Sequence, residues 1–288
     1  MPERQSASLW RTLAALTLFG IAFGYVEAAV VVYMRAAYEP RHQRLYPSRA
    51  PGDLLPFIPL ERLTVEGAEV VNWPKTELLR EVATLVMLAG AALAVARNGR
   101  QWFAAFVLVF GLWDVFYYVF LKVLLDWPAS LLTWDLLFLL PVVWVAPVLA
   151  PLLVAVSMVA TGALSLWREA VGRPLRLGWG HCLTLTASGC VLITAFCWDY
   201  PHIVAGGLPN PFNWPLFAVG HLLGLAAFAH AWLDRGGRIP ISEREAPSSP
   251  APVQGDHHAD THRHADAHRG RGQQAETDRR VCGTSELA

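Results

Sequence analysis

Apolar runs of about 20 residues recur along the chain, each long enough to cross the roughly 30 Å hydrocarbon layer of a bilayer as a helix. Few folds are open to such runs. In lipid every backbone N–H and C=O must be paired within the protein, which a helix does by itself. The chain has 288 residues, 54% of them hydrophobic and only 16% charged, with a mean hydropathy of +0.35. A polar tail dilutes that average, so the body is more apolar still. The sequence therefore predicts an all-α, polytopic integral membrane bundle of about six transmembrane helices over residues 1–240. From Ile241 the composition turns to Pro, Ser, Gly, His and mixed charge. Residues 241–288 cannot bury enough apolar surface to offset ordering entropy, and a disordered cytosolic tail is expected there.

The first span runs from about Trp10 to Met34, longer than a signal-peptide core, and reads as an uncleaved helix. Gly20-x-x-x-Gly24 lies within it, and Glu27 follows three residues later on the same face. Small residues let helices approach closely in lipid, so this face should turn into the bundle and carry Glu27 with it. A connection from Arg35 to Lys75 follows, in which Leu54–Leu63 is expected to lie along the membrane surface. The second span begins at Asn72-Trp73-Pro74 and ends near Ala96, and the third runs from Gln101 to about Leu125. Leu131–Trp167 is too long for one upright span and carries Pro141, Pro147 and Pro151. It reads either as a kinked helix or as an interfacial piece preceding the true crossing. The fifth span covers His181–Trp198, and the sixth runs from Asn213-Trp214-Pro215 to Leu233. Pro suits a helix's first turn and Trp the interface, which accounts for the repeated Asn/Asp-Trp-Pro at Asn72, Asp126 and Asn213.

Lys and Arg mark cytoplasmic loops. Arg4 and Arg11, Arg97 and Arg100, Arg168, Arg173 and Arg176, and Arg235 and Arg238 alternate with the spans so that both termini fall on the cytoplasmic side. The expected location is a bacterial cytoplasmic membrane. The long first connection is the exception, with Arg41, Arg44, Arg49 and Arg62 on the outer side. This topology gathers the ionisable residues of the apolar body near the outer leaflet. Glu27 lies in the outer half of the first span, and Glu77, Arg80 and Glu81 in the first turns of the second. Asp114, Tyr118 and Lys122 sit at i, i+4 and i+8 on the third, one stripe of a helix. Asp135 opens the fourth region, Asp199 and His202 close the fifth, and His221 lies within the sixth.

Charge in hydrocarbon is costly unless paired or hydrated, which makes an intramembrane ionisable stripe a functional hypothesis. Glu77, Lys122, Asp135 and Asp199 are near enough to span ends to reach headgroups or water. Glu27 and Asp114 sit deeper. Carboxylates beside Trp113, Tyr117 and Tyr118 make a pocket suited to a cation or polar headgroup. The leading expectation is a small permease or ligand-binding membrane protein, with Glu27 and Asp114 binding the cation or proton and Arg80 and Lys122 balancing charge. A membrane-embedded enzyme acting on lipid or isoprenoid headgroups and an accessory subunit of a membrane complex are the alternatives. Expected partners are the bilayer, a small-molecule or ion ligand and, optionally, a second copy of the chain. With zero net charge nothing suggests nucleic-acid binding and no nucleic-acid partner is expected, and no phosphate loop, dinucleotide fingerprint or zincin motif occurs.

Asp114, Asp199, His202 and His221 lack a recognised metal-ligand spacing and read as core or interfacial groups. The tail instead brings His257, His258, His262, His264 and His268 close together, a tract that can bind a divalent metal such as Ni or Zn. Three of the four Cys (Cys182, Cys190, Cys197) share one apolar run, which is a packing pattern and not a disulfide framework. Ser188-Gly189 and Gly220-His221-x-x-Gly224 are elements that resemble rhomboid peptidases, which would imply a Ser–His pair. The chain departs from that pattern: no Gly stands two residues before Ser188, and a single helix-to-helix connection separates Ser from His. Thr184 and Ser188, at i and i+4, read more simply as polar groups that pack helices.

Overall fold

The computed structural model describes residues 2–49, 53–58 and 73–234. Arg62, Asn72, Arg235, Arg238 and the tail from Ile241, with all five of its clustered histidines, lie outside the described residues. Seven helices are described: α1 (Pro2–Leu45), α2 (Trp73–Val95), α3 (Gly99–Leu125), α4 (Leu149–Ala170), α5 (Trp179–Cys197), α6 (Tyr200–Val204) and α7 (Trp214–Leu233). Two short strands, β1 (Trp134–Phe138) and β2 (Trp144–Pro147), are inserted between α3 and α4. Helix dominates the described residues, and six of the helices among them are long and apolar enough to cross a membrane. Large side chains such as Leu18, Leu79, Val123, Leu183 and Leu222 stand on their outer faces, more than 60% exposed. A surface this apolar suits lipid and not water. The architecture is that of a multi-pass membrane protein.

The expected role of Gly20-x-x-x-Gly24 holds. An added Cβ at Gly20 would stand 2.8 Å from Leu112 Cβ, and one at Gly24 2.9 Å from Tyr117 N, so α1 meets α3 almost backbone to backbone. The other side of α3 does the same with α4. A Cβ on Gly162 would lie 2.7 Å from Leu108 N. Helix α3 is thus the central element, with α1, α2 and α4 around it. Leu16, Phe23, Leu88, Ala105, Leu108, Val109 and Leu166 form the shared core. Helices α5 and α7 make a second pair, joined to the first through Ala146, Ala150, Ala195, Phe196 and Phe217.

Two expectations are corrected. The first helix does not stop near Met34 but continues to Leu45, through Pro40. At 1.5 Å per residue its 44 residues reach about 66 Å, so α1 projects well past the hydrocarbon layer. The projecting face carries Tyr38, His42 and Leu45 at helical spacing, and residues 53–58 fold back onto it. Ile58, wholly buried, packs on Tyr38, Leu45 and Tyr46. His42 Nε2 meets Pro56 O at 2.6 Å. Residues 54–58 therefore lie against the projecting part of α1. Residues 59–63 are outside the described residues.

The second correction concerns Leu131–Trp167. A piece does precede the true crossing, as one of the two readings had it, but it is a β-hairpin. Trp134 pairs with Pro147, Asp135 with Ala146 and Leu136 with Val145, with a bulge before Phe138 opposite Trp144. Asp135 consequently opens no helix. It sits in the hairpin, 1% exposed. The hairpin marks one end of the bundle, and Arg97, Arg100, Arg168 and Arg173 lie at the opposite, terminal end.

Packing this close predicts its own weak point. Gly24→Leu should lower stability by about 1–3 kcal/mol through overpacking, read as a lower unfolding midpoint in detergent. Gly90→Leu, where nothing lies within 4 Å of an added Cβ, should not lower it. Equal effects would show that α1 and α3 are not in close contact.

Candidate functional site

Helix geometry divides the charged residues of α2 between two neighbours. Glu77, Arg80 and Thr84 share one face, while Glu81 is turned aside by one residue. Arg80 binds Glu27 of α1 through Nη1 and Glu77 through Nε, at 3.0 Å to each carboxylate oxygen, and through Nη2. Thr84 Oγ1 donates to the other Glu27 oxygen at 2.5 Å. Glu27 is 4% exposed, so its charge is sheltered as well as paired. Glu81, equally buried, accepts from Leu139 N at 2.9 and 3.0 Å and so ties α2 to the hairpin. Every carboxylate in this knot has a partner, and it joins α1, α2 and the hairpin.

A second group forms where α3 meets the hairpin. Tyr118 OH donates to Asp135 Oδ2 at 2.8 Å. Burial pushes the Asp135 carboxyl up to about 6, against the Tyr118 hydrogen bond and the Arg35 charge, which both pull it down. The Arg35 guanidinium lies 4.3 Å above the Trp127 ring. From Trp127 a line of ring contacts runs through Tyr118, Tyr117, Trp113 and Phe138 to Trp144, at centroid distances of 6.5, 5.0, 6.4, 6.3 and 5.6 Å. Three buried indole N–H groups along it, on Trp113, Trp127 and Trp144, have no hydrogen-bond partner. Asp114 projects from the same stretch of α3, half-buried, and has no hydrogen bond or ion pair among the described residues. The charge acting on it is that of another carboxylate, Asp135.

The remaining expected site residues are placed elsewhere. Lys122 is half-exposed and pairs with Asp126 at 2.7 Å, so it reaches the surface and does not balance Asp114. Asp199 accepts from Asn210 N at 2.8 Å and Asn210 Nδ2 at 2.7 Å, which closes the loop before α7. His202 is exposed on α6. His221 faces a separate cavity, with Nε2 3.3 Å from Ser157 Oγ of α4. It does not pair with Ser188, which donates to Gly220 O at 2.7 Å. Among the described residues no group of three or more His, Cys, Asp or Glu is placed to hold a metal.

Sequence reasoning missed Arg35, Trp127 and Trp144. Arg35 stands eight residues after Glu27, a helical spacing that would have placed it on the same face had α1 been extended past Met34. Trp144 is hidden in a uniformly apolar run. No family model, curated protein or solved structure matches the chain.

Two outcomes follow. Arg80→Met strands Glu27 in a buried site and should cost about 3–5 kcal/mol. The double variant Glu27→Gln, Arg80→Gln should recover most of that in the same thermal assay, and no recovery would mean that the pair is not coupled. For Asp135 the folded value of about 6 exceeds the ordinary 3.8. The folded state therefore binds the proton more tightly, and stability falls as pH rises from about 4 to about 6. Asp135→Asn, which still accepts from Tyr118, should remove a share on the order of 3 kcal/mol from that fall. An unchanged pH profile of the unfolding midpoint would count against it.

Proposed function

We propose that the protein is a small permease or ligand-binding membrane protein, whose ligand is received at the hairpin end between α3 and the β-hairpin. Asp114 is the observation that carries this reading. A carboxyl group within a span is expensive, and buried polar groups ordinarily find a partner. Glu27 and Glu81, at the same end, are fully bonded. Asp114 is not, and beside it the Trp113 N–H is also unpaired. A ligand with a positive charge would pair with Asp114 and Asp135 and lie against the faces of Trp113, Tyr117 and Tyr118. The indole N–H groups would hold any acceptor it carries. Arg35 offsets the charge of Asp135. The positive residues at the terminal end make that end cytoplasmic and the hairpin end external. The ligand then enters from outside, and both termini are cytoplasmic.

The test uses small cations as probes on the purified full-length chain. Tetramethylammonium and a set of primary amines should raise the unfolding midpoint of the parent, with apparent affinity falling about tenfold or more in Asp114→Asn. Asp114→Asn should itself fold normally, because Asn removes a charge that no described residue pairs. Cations that never stabilise the parent, or that stabilise both equally, overturn the reading.

A further inference from the structure

A cavity of about 380 Å³ separates the α3–α4 pair from the α5–α7 pair, and its walls are unlike one another. Most of the lining is apolar, as with Phe103, Val107, Leu192 and Phe228. With Arg100, Gln101, Ser188 and His221 on the other walls, polar side chains are concentrated on one stripe of α4, where Ser157, Thr161, Ser165 and Glu169 all line the cavity. Spacing by four places these side chains one above another on a single face. From Ser157 to Glu169 the stripe is about 18 Å long. Its deep end is closed by His221, at 3.3 Å from Ser157 Oγ. Its shallow end reaches the terminal surface, where Glu169 accepts from Asn98 Nδ2 at 3.1 Å and faces Arg100 Nε at 3.6 Å.

The hydroxyl protons along the stripe are already committed. Ser157 donates to Leu153 O at 2.8 Å, Thr161 to Ser157 O at 2.7 Å and Ser165 to Thr161 O at 2.6 Å. Each oxygen is left with acceptor capacity toward the cavity. Successive oxygens are about 6 Å apart along the helix axis. Two waters in file bridge such a gap with three hydrogen bonds of about 2.8 Å. An apolar chain lying in the groove would gain nothing from this row, whereas water needs two or more polar partners and finds them here. Ser157 has one hydroxyl proton and gives it to Leu153 O. In neutral His221, Nε2–H is therefore the donor to Ser157, and Nδ1 is the basic nitrogen.

We propose that the α4 stripe is a hydrated half-channel by which a proton reaches His221 from the Glu169 end of the bundle. Only O–H and N–H bonds change. Each water takes a proton from the side of Glu169 and passes one inward, and His221 Nδ1 accepts the last to become imidazolium. The inference deepens the permease reading and rests on it for what the proton drives: Asp114 meets the ligand from the hairpin end, and His221 meets the proton from the other. Hydration of the stripe is testable without any transport.

The test is cysteine accessibility in reconstituted full-length protein with Cys182, Cys190, Cys197 and Cys282 replaced by Ala. Thr161→Cys and Ser165→Cys are compared with Leu164→Cys, a residue of the same turn that is 41% exposed on the lipid side. A small cationic, membrane-impermeant methanethiosulfonate applied at the terminal end should modify the two stripe cysteines about tenfold faster or more, since thiolate forms where water reaches it. Equal, slow rates at all three positions, with all three still open to a lipophilic maleimide, would show that a lipid chain fills the groove and would overturn the proposal. Ser165→Cys alone decides if Thr161→Cys does not elute as a single folded species. Failure here leaves the Asp114 reading standing, and loss of the cation effect at Asp114 leaves the labelling pattern unchanged.

Discussion

The Arg80 guanidinium, held between Glu27 and Glu77, is the interaction on which the hairpin end depends. Helix α2 buries little apolar surface: Leu88 and Ala92 are its fully buried apolar residues. In lipid such contacts barely distinguish a neighbouring helix from an acyl chain, so they do not fix a register by themselves. A guanidinium and two carboxylates do, because any slip of α2 along α1 leaves a charge in hydrocarbon. Once that register is set, Glu81 falls opposite Leu139 N and holds the hairpin. The hairpin in turn brings Asp135, Phe138 and Trp144 to the aromatic face of α3. The polar knot is thus scaffold for the aromatic face.

Close backbone approach supplies the rest of the frame. Glycines at positions 20 and 24 admit α3 to α1, and Gly162 admits α4 to the far side of α3. With no hydrophobic drive between helices in a bilayer, this contact gathers the van der Waals attraction that holds the bundle. Helices α5 and α7 approach each other in the same way at Gly220 and Gly224, where an added Cβ would lie 3.0 Å from Leu192 N and 2.7 Å from Ser188 Oγ. Their contacts with the first group are concentrated around the hairpin and the start of α4. At the terminal end α4 and α7 meet again, where Arg168 Nη1 donates to Trp232 O at 2.7 Å and Trp167 stacks on Trp232, and the cavity lies between these contacts and the hairpin.

The spans, the inward face of Gly20, Gly24 and Glu27, and the gathering of charge toward one end were legible in the sequence. Length, small-residue spacing and position along a helix carry them directly. The hairpin was not, because Leu131–Trp144 is apolar at nearly every position and so shows neither a period of two nor one of 3.6. The extension of α1 was obscured for the opposite reason, since its charged residues and Pro40 read as loop until residues 53–58 cover their apolar face. Height along the bundle could be read from position along each span, but azimuth could not. Lys122 shares a stripe with Asp114 yet ends on the surface with Asp126. The hydroxyl that meets His221 belongs to α4, not to the Ser188 that its neighbour Gly220 accepts from.

Azimuth also separates scaffold from site among groups of the same chemistry. Glu27, Glu81 and Asp114 are all carboxylates sheltered at one end of the bundle. Two of them commit their oxygens to named partners, Arg80 and Thr84 for Glu27 and a hairpin N–H for Glu81. Desolvating them is offset within the fold. Asp114 meets only a repelling neighbour and an aromatic wall whose N–H groups are likewise unpaired. A fold selected for stability alone would do better with an apolar residue there, since removing an unpaired buried polar group is neutral or favourable. Among the described residues nothing offsets the cost of keeping it, and that deficit is the ground on which a cationic partner is proposed for Asp114.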